Sequence, residues 1–397
     1  MQILGIEIAM ISTRLIFFLF IPFFCIACAS GKLHLKPGYS TIQPIPEGVP
    51  DYTIYAIGDA GDVNDQSKAL IAHIKSMAGD DTQPGTIIFL GDNIYPSGFP
   101  VTSDIKGQLE AQDALMNQVY ELQYYDGEII FIPGNHDWNE FKPGGLASIQ
   151  RQGYYLKELG LPQLKMLPEN GCGGPVMKEL NQDLVMIIID SQWWIQNWEK
   201  EPDINDGCTI KTREGFIHAF HKMVADNRGK QIIVSLHHPL YSQGAHGGHF
   251  SWREHLFPLS RVVKWLYIPL PVIGSIYPFF RTVIGHPQDI RHPGYKSLIV
   301  GLLHDLEYDG EMIFLSGHEH NLQYILREAD HFLVSGSGSK KSKVADSDDL
   351  IFGHQANGFM KLDFYASKGV YLSVYELSTQ SGALENVFSR FIVKKSR

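Results

Sequence analysis

The sequence predicts an α/β protein, and three observations carry that expectation. Short continuous apolar runs rich in β-branched residues recur along the chain, as in strands buried on both faces. Stretches with helical apolar spacing alternate with them, and the connections are short. Five of these runs also deliver Asp, Asn or His at their C-terminal ends, where open α/β sheets place their chemistry.

The first residues lie outside that pattern. Leu15–Ala29 is an apolar run preceded by Arg14 and followed by Ser30-Gly31-Lys32. It has the form of a secretory h-region and is short for a membrane span, with cleavage after Ala27 or Ala29. Lipidation at Cys28 is the alternative. Residues 1–29 therefore read as a signal peptide and the mature chain as exported: periplasmic, secreted or lipid-anchored at the envelope. Residues 30–50 read as a Pro-rich linker, and 51–397 as the folded domain.

Within that domain the order is strand, helix, strand, helix, strand. Tyr52–Ile57 is a strand-like run ending in Gly58-Asp59-Ala60-Gly61, and Ser67–Met77 has helical spacing. Thr86–Leu90 follows, and Gly91 lets the backbone turn sharply so that Asp92 emerges at the strand end, ahead of Asn93-Ile94-Tyr95. Ile105–Leu122 is again helical, and Glu128–Ile132 ends in Pro133-Gly134-Asn135-His136-Asp137. The Gly- and Pro-rich residues 138–180 read as loops around a helix near Tyr154. Leu184–Ile189 is a further strand ending at Asp190, and Thr212–Asn227 a helix. Gln231–Leu236 leads into His237-His238-Pro239, and Met312–Leu315 into Ser316-Gly317-His318-Glu319-His320. Phe332–Val334, a Gly336-Ser337-Gly338-Ser339 turn and a hairpin of Gly358–Tyr365 with Val370–Glu376 close the pattern.

Composition narrows the class. A chain with 44% hydrophobic and 19% charged residues is globular, and its net charge of −10 gives no footprint for nucleic acid. Such a chain still binds phosphate if metal ions supply the local positive charge. In an exported protein Cys172 and Cys208 read as one disulfide bracketing Leu184–Ile189, stabilising by roughly 3–4 kcal/mol on the loop-entropy scale.

The odd region is a hydrophobic insertion at about 250–306. Trp265 to Phe280 is a run of sixteen uncharged residues between Lys264 and Arg281, and its three prolines and Gly274 argue against a spanning helix. It reads either as a lid or wall of the active site, or as a surface that dips into a membrane through 265–280.

Taken together, the five stretches resemble the five blocks of the calcineurin-like metallophosphoesterase superfamily. Tyr95, three residues after Asp92, makes them similar to its purple acid phosphatase branch. The resemblance covers the chain from about Tyr52 to Glu376 apart from the insertion. It implies two packed mixed β-sheets flanked by helices, a four-layer αββα architecture. It also implies two metal ions, one held by Asp59, Asp92, Tyr95 and His320, the other by Asp92, Asn135, His237 and His318. The donor types suit that role. Asn135 keeps its ion from being over-neutralised, and His318 and His320 share a face if their stretch is extended. A phenol loses its proton only near pH 10 unless a strongly charged ion binds its oxygen. Tyr95 thus selects Fe(III), with Fe(II), Zn or Mn beside it; without Tyr95 as ligand the pair is an ordinary divalent one.

The resemblance further implies a phosphate contact from His136, with Asp137 orienting it, and a general acid in His246. His238 reads as a neighbour of the ligand His237, and His249 and His255 as loop histidines. The implied function is an exported acid phosphatase that hydrolyses small phosphate monoesters with a metal-activated hydroxide. Phosphodiester or pyrophosphate cleavage on the same metals is the alternative. A non-catalytic envelope-associated binding protein is a third reading, against which the complete ligand set argues. A phosphomonoester assay with and without chelator separates them.

Overall fold

The computed structural model describes residues 29–261, 265–270, 273–283, 285–378 and 380–394. Nearly all of the expected signal peptide, including Cys28, lies outside the described residues.

Two β-sheets form the centre. The first carries seven strands in the order β15-β14-β13-β2-β3-β4-β5. Here β2 is Tyr52–Ile57, β3 Gly85–Phe89, β4 Glu128–Phe131 and β5 Leu164–Met166, all mutually parallel. The antiparallel side is β13 Gly358–Tyr365, β14 Gly369–Leu377 and β15 Leu384–Lys394. The second sheet has eight strands in the order β1-β12-β10-β11-β9-β8-β7-β6. Its parallel part is β7 Leu184–Ile188, β8 Gln231–Ser235, β9 Ile313–Ser316 and β11 Asp330–Ser335. Antiparallel strands flank it: β1 His34–Leu35, β6 Val176–Asn181, β10 Leu322–Arg327 and β12 Leu350–His354.

The period of two along each strand makes the layers. Ile54 and Ala56 of β2, Ile88 of β3 and Ile130 of β4 face Met186, Ile233 and Leu315 of the second sheet in one apolar layer. The alternate residues Tyr55, Ile57, Ile87 and Phe89 face helices on the other side. Those helices are α1 Asp65–Asp80 and α2 Ile105–Val119. The first starts at Asn64, whose side chain accepts from the Ser67 amide, and buries Leu70, Ile71 and Ile74 on one face. After β4 comes α3 Gly145–Glu158, and after β7 the short α4 Ser191–Ile195. Over the second sheet lies α5 Arg213–Asp226, with Phe216, Phe220 and Val224 at intervals of four. The expected four layers, helix–sheet–sheet–helix, are the observed ones.

Cys172 and Cys208 are joined, their Cα atoms 5.6 Å apart, so the bridge spans the strand it was expected to bracket. The Pro-rich segment lies along the body rather than away from it. Its β1 pairs with β12, Ile42 bridges to Ser389 of β15, and the Tyr371 hydroxyl donates to the Gln43 carbonyl at 2.7 Å. It thereby covers an edge of each sheet, where unpaired backbone groups would otherwise face water.

The excursion after β8 comprises α6 Trp252–Leu256, α7 Ile273–Val283 and α8 Pro293–Leu303. Helix α8 belongs to the core: Tyr295, Leu298 and Leu302 are buried, and the Trp194 indole donates to Gly294 and Ser297. Among the described residues no helix is long and apolar enough to cross a membrane.

Candidate dinuclear metal centre

The parallel strands β2, β3, β4, β8 and β9 all end at one rim, and Asp59, Asp92, Asn135, His237 and His318 follow directly from them. The backbone is under strain there. Asp59, Asp92 and His318 have positive φ values of 57°, 54° and 69°, costly for residues with a Cβ and typical of functional sites. Gly91 and Gly134 make the crowding possible. A Cβ on Gly134 would lie 2.3 Å from the Asp92 amide nitrogen, and one on Gly91 would lie 2.9 Å from Gly134.

Two donor clusters result, with Asp92 between them. In the first, the Tyr95 hydroxyl is 3.0 Å from Asp59 Oδ1, 3.1 Å from Asp92 Oδ2 and 3.2 Å from His320 Nε2. In the second, Asn135 Oδ1 is 2.9 Å from both His237 Nε2 and His318 Nδ1, and Asp92 Oδ1 is 3.4 Å from His237 Nε2. One carboxylate oxygen therefore faces each cluster. The outer nitrogens are already committed: His237 Nδ1 donates to the Leu90 carbonyl at 2.7 Å, and His318 Nε2 donates to the Gln288 carbonyl at 3.1 Å. That leaves the lone pairs of His237 Nε2 and His318 Nδ1, themselves 3.2 Å apart, converging with the Asn135 oxygen on one point. Three buried acceptors meeting without a donor repel one another, and a cation relieves them. The donor set fits a metal ion. Asp59, Asp92 and His237 form a second group whose ligand atoms lie within 4.8 Å of one another.

Ionisation follows from the same burial. Desolvation opposes charge on Asp92, yet the His136 and His320 imidazoles and the His136 amide hold its carboxyl well below the usual range. Desolvation, with Asp59 and Asp92, pushes the Tyr95 phenol well above its ordinary value, so only a strongly charged ion would recruit it as phenolate. Burial, then the neighbouring His246, His238 and His237, pushes His318 well down and leaves it neutral, as a ligand must be.

The residues that surround the centre only partly follow the sequence reading. His136 sits against Tyr95, ring centroids 4.4 Å apart, and its Nδ1 donates to the Pro96 carbonyl at 2.5 Å. Asp137 does not orient it. Its carboxylate accepts from the amides of Asn93, Ile94 and Gly134, which pins the two loops together and turns it away from His136. His318 and His320 do not lie on an extended stretch either. The positive φ at His318 breaks it, and the two rings reach different clusters from a turn. His238 is close to the centre, its ring 4.4 Å from that of His318. Its Nδ1 meets Ser191 at 2.9 Å, while Nε2 has no hydrogen-bond partner among the described residues. His246 packs on His318 with centroids 4.0 Å apart; His249 and His255 stay outside both clusters.

Sequence reasoning missed the groups that hold His246. Asp289 Oδ1 lies 3.0 Å from its Nδ1, and Arg281 in turn grips Asp289 through Nε at 2.8 Å. Glu319, buried between the two histidines of its motif, accepts from the His246 and Gly247 amides. A charged residue in so apolar a stretch was the one available signal. Lys340 was also missed. The turn after β11 places its ammonium 3.0 Å from the centre of the Tyr95 ring, and burial lowers its pKa against the pull of Asp59, Asp62 and Asp92.

A β-sandwich with acids, an amide and imidazoles gathered at its parallel strand ends defines the metallophosphoesterase class. The chain belongs to the calcineurin-like phosphoesterase family, whose model matches residues 52–272. That family implies a dinuclear metal site; the match ends before β9, so His318 and His320 join the set through the structure. No curated protein matches the chain. Among solved structures it is similar to GAP50, described as the anchor in the inner membrane complex of Plasmodium, at 13% identity and TM-score 0.53, covering 87% of this chain and 90% of that one. It is similar to PhoD at 9% identity and TM-score 0.52, covering 89% and 74%. Purple acid phosphatase PPD1 from yellow lupin (Lupinus luteus) seeds aligns at 14% identity and TM-score 0.48, covering 87% and 55%. These likenesses concern the fold alone.

Proposed function

We propose that the chain is an exported phosphomonoesterase of the acid phosphatase type. The observation that carries this reading is Asp92, whose two oxygens face two separate donor clusters, one of them containing Tyr95. Asp59, Asp92, Tyr95 and His320 would hold one ion, and Asp92, Asn135, His237 and His318 the other. When bound, such a pair supplies Lewis-acid charge and an activated water for displacement at phosphorus. Fe(III) suits the first set, with Fe(II), Zn or Mn in the second.

The chain's own groups then divide the remaining work. His136, fixed through Pro96, contacts the equatorial phosphate oxygens, and Lys340 adds positive charge on the Tyr95 side. His246, held by Asp289, hands a proton to the leaving oxygen. The substrate is a small phosphate ester, and a net charge of −10 gives the chain as a whole no attraction to nucleic acid. Export rests on the apolar run Leu15–Ala29 and agrees with the disulfide.

The test compares nitrophenyl phosphate with its bis-nitrophenyl diester, with and without chelator. Monoester turnover that chelator abolishes and metal restores is the expected result. A preference for the diester moves the reading to phosphodiesterase, and no turnover of either by metal-loaded protein overturns an enzymatic role.

A further inference from the structure

The excursion after β8 has two unlike ends. Its inner end reaches the site, where the Gln288 carbonyl meets His318 and Asp289 meets His246. Its outer end is apolar and exposed. Trp265 is 77% exposed, Phe279 67% and Ile276 62%, and Trp252, Tyr267 and Phe280 are each more than half exposed. These residues form one surface. Phe257 links the Trp252 ring to the Tyr267 ring, Gly274 of α7 packs on the α6 backbone at His255, and His255 Nδ1 lies 3.3 Å from Ser275 Oγ. Helix α7 turns Gly274, Pro278 and Arg281 inward and Ile276, Phe279 and Phe280 outward. Large apolar side chains gathered in one exposed patch mark a contact surface, and Trp and Tyr among them suit the boundary between water and lipid.

We propose that this outer face docks on a lipid bilayer surface. The occupant is indicated by the chain that precedes the described residues. Ala29 lines a cavity of about 320 Å³ together with Arg253 and Tyr267 of the excursion. The apolar run Leu15–Ala29 thus ends beside the patch, so an apolar segment of the sequence and an exposed apolar surface meet at one place. Retained as an anchor, or carried as a lipid on Cys28, that segment would hold the bilayer next to α6 and α7. With a net charge of −10, attraction to anionic lipid does not drive the contact. Insertion of the aromatic side chains does, so binding depends weakly on salt. The inference goes beyond the phosphatase reading and stands without it.

The experiment is co-sedimentation of the protein with extruded phosphatidylethanolamine–phosphatidylglycerol vesicles at low and high salt. The triple variant Trp265→Ser, Phe279→Ser, Phe280→Ser is compared with wild type. The expected result is wild-type binding at both salt concentrations and at least a roughly tenfold weaker partition for the variant. Hydrolysis of soluble nitrophenyl phosphate should be unchanged. Quenching of tryptophan emission by brominated-chain lipids reads the contact in a chain without substitutions and is expected on vesicle addition. Wild type that neither sediments nor is quenched overturns the proposal, as does a variant that binds like wild type. A patch that instead pairs two copies of the chain, seen as a wild-type dimer that the variant splits without any vesicle binding, overturns it too. Absent hydrolysis would count against the phosphatase reading alone and leave the docking result standing.

Discussion

The two halves of the proposed centre share Asp92 and differ in nearly everything else. Asp59, Tyr95 and His320 offer a carboxylate, a phenol and an imidazole, so this half gathers negative charge. Asn135, His237 and His318 are all neutral donors. A charge-rich oxygen site favours a hard, highly charged ion, whereas an amide with two imidazoles favours a borderline divalent one. On the proposed ligand assignment, that difference would select a mixed pair. The flanking histidines divide the same way: His136 packs on Tyr95, and His246 on His318.

The most severe way to break the comparison is to remove what the halves share. Asp92→Ala should lose both metals and reduce hydrolysis to background, with metal content read by elemental analysis. Retention of two equivalents would show that Asp92 does not bridge. Next come the flanking histidines. General acid catalysis contributes about 10²–10⁴-fold, and most where the leaving oxygen is poor. His246→Ala should therefore slow alkyl phosphates far more than nitrophenyl phosphate, and Asp289→Asn should do so in the same direction to a smaller extent. His136→Ala should slow both substrates alike. A plot of rate against leaving-group pKa reads the difference, and a His246→Ala line parallel to wild type would remove His246 from the acid role.

Lys340 sharpens the contrast from the Tyr95 side. Lys340→Met should raise KM for phosphate esters about tenfold, the worth of one charge-assisted contact. An unchanged KM would leave the lysine as packing on Tyr95. The smallest effect is expected at Asp190, which belongs to neither half. Burial lifts its pKa from 3.8 to about 7, against hydrogen bonds from Trp193 and Trp138. Between those values the folded state binds the extra proton, so its contribution to stability is lost as pH rises through that window. Asp190→Asn should flatten the pH dependence of the denaturation midpoint between about pH 4 and 7, with two metals still bound.

How much of this was legible in the sequence follows from how locally each feature is encoded. Strands buried on both faces, such as Thr86–Leu90, announce themselves by composition, and the five at the site each carry a ligand two to four residues beyond their end. The edge strands did not. β15 mixes Glu385, Asn386, Ser389 and Arg390 with its apolar residues, because an edge strand is only partly buried. The Pro-rich segment reads as a linker because two-residue pairings such as β1 leave no periodic signal. At the site, the ligands were readable as motifs, but Asp289 and Lys340 reach it from distant loops and Arg281 from α7, and the only local mark is the charge of Arg281 at the end of an apolar run. Asp137 shows the opposite error. Its place beside His136 suggested a partnership, and the strand-end turn sends its carboxylate to backbone amides instead.

The central claim is a dinuclear centre with unlike halves, and metal analysis joined to a visible spectrum tests it most directly. Purified wild type, loaded with iron and oxidised, should carry two equivalents of metal and show a visible charge-transfer band. Tyr95→Phe should keep the metals and lose the band, since only the phenolate in the Asp59 half gives rise to it. A colourless iron-loaded wild type would contradict the unlike-halves account, and fewer than two equivalents of metal would contradict the dinuclear centre itself.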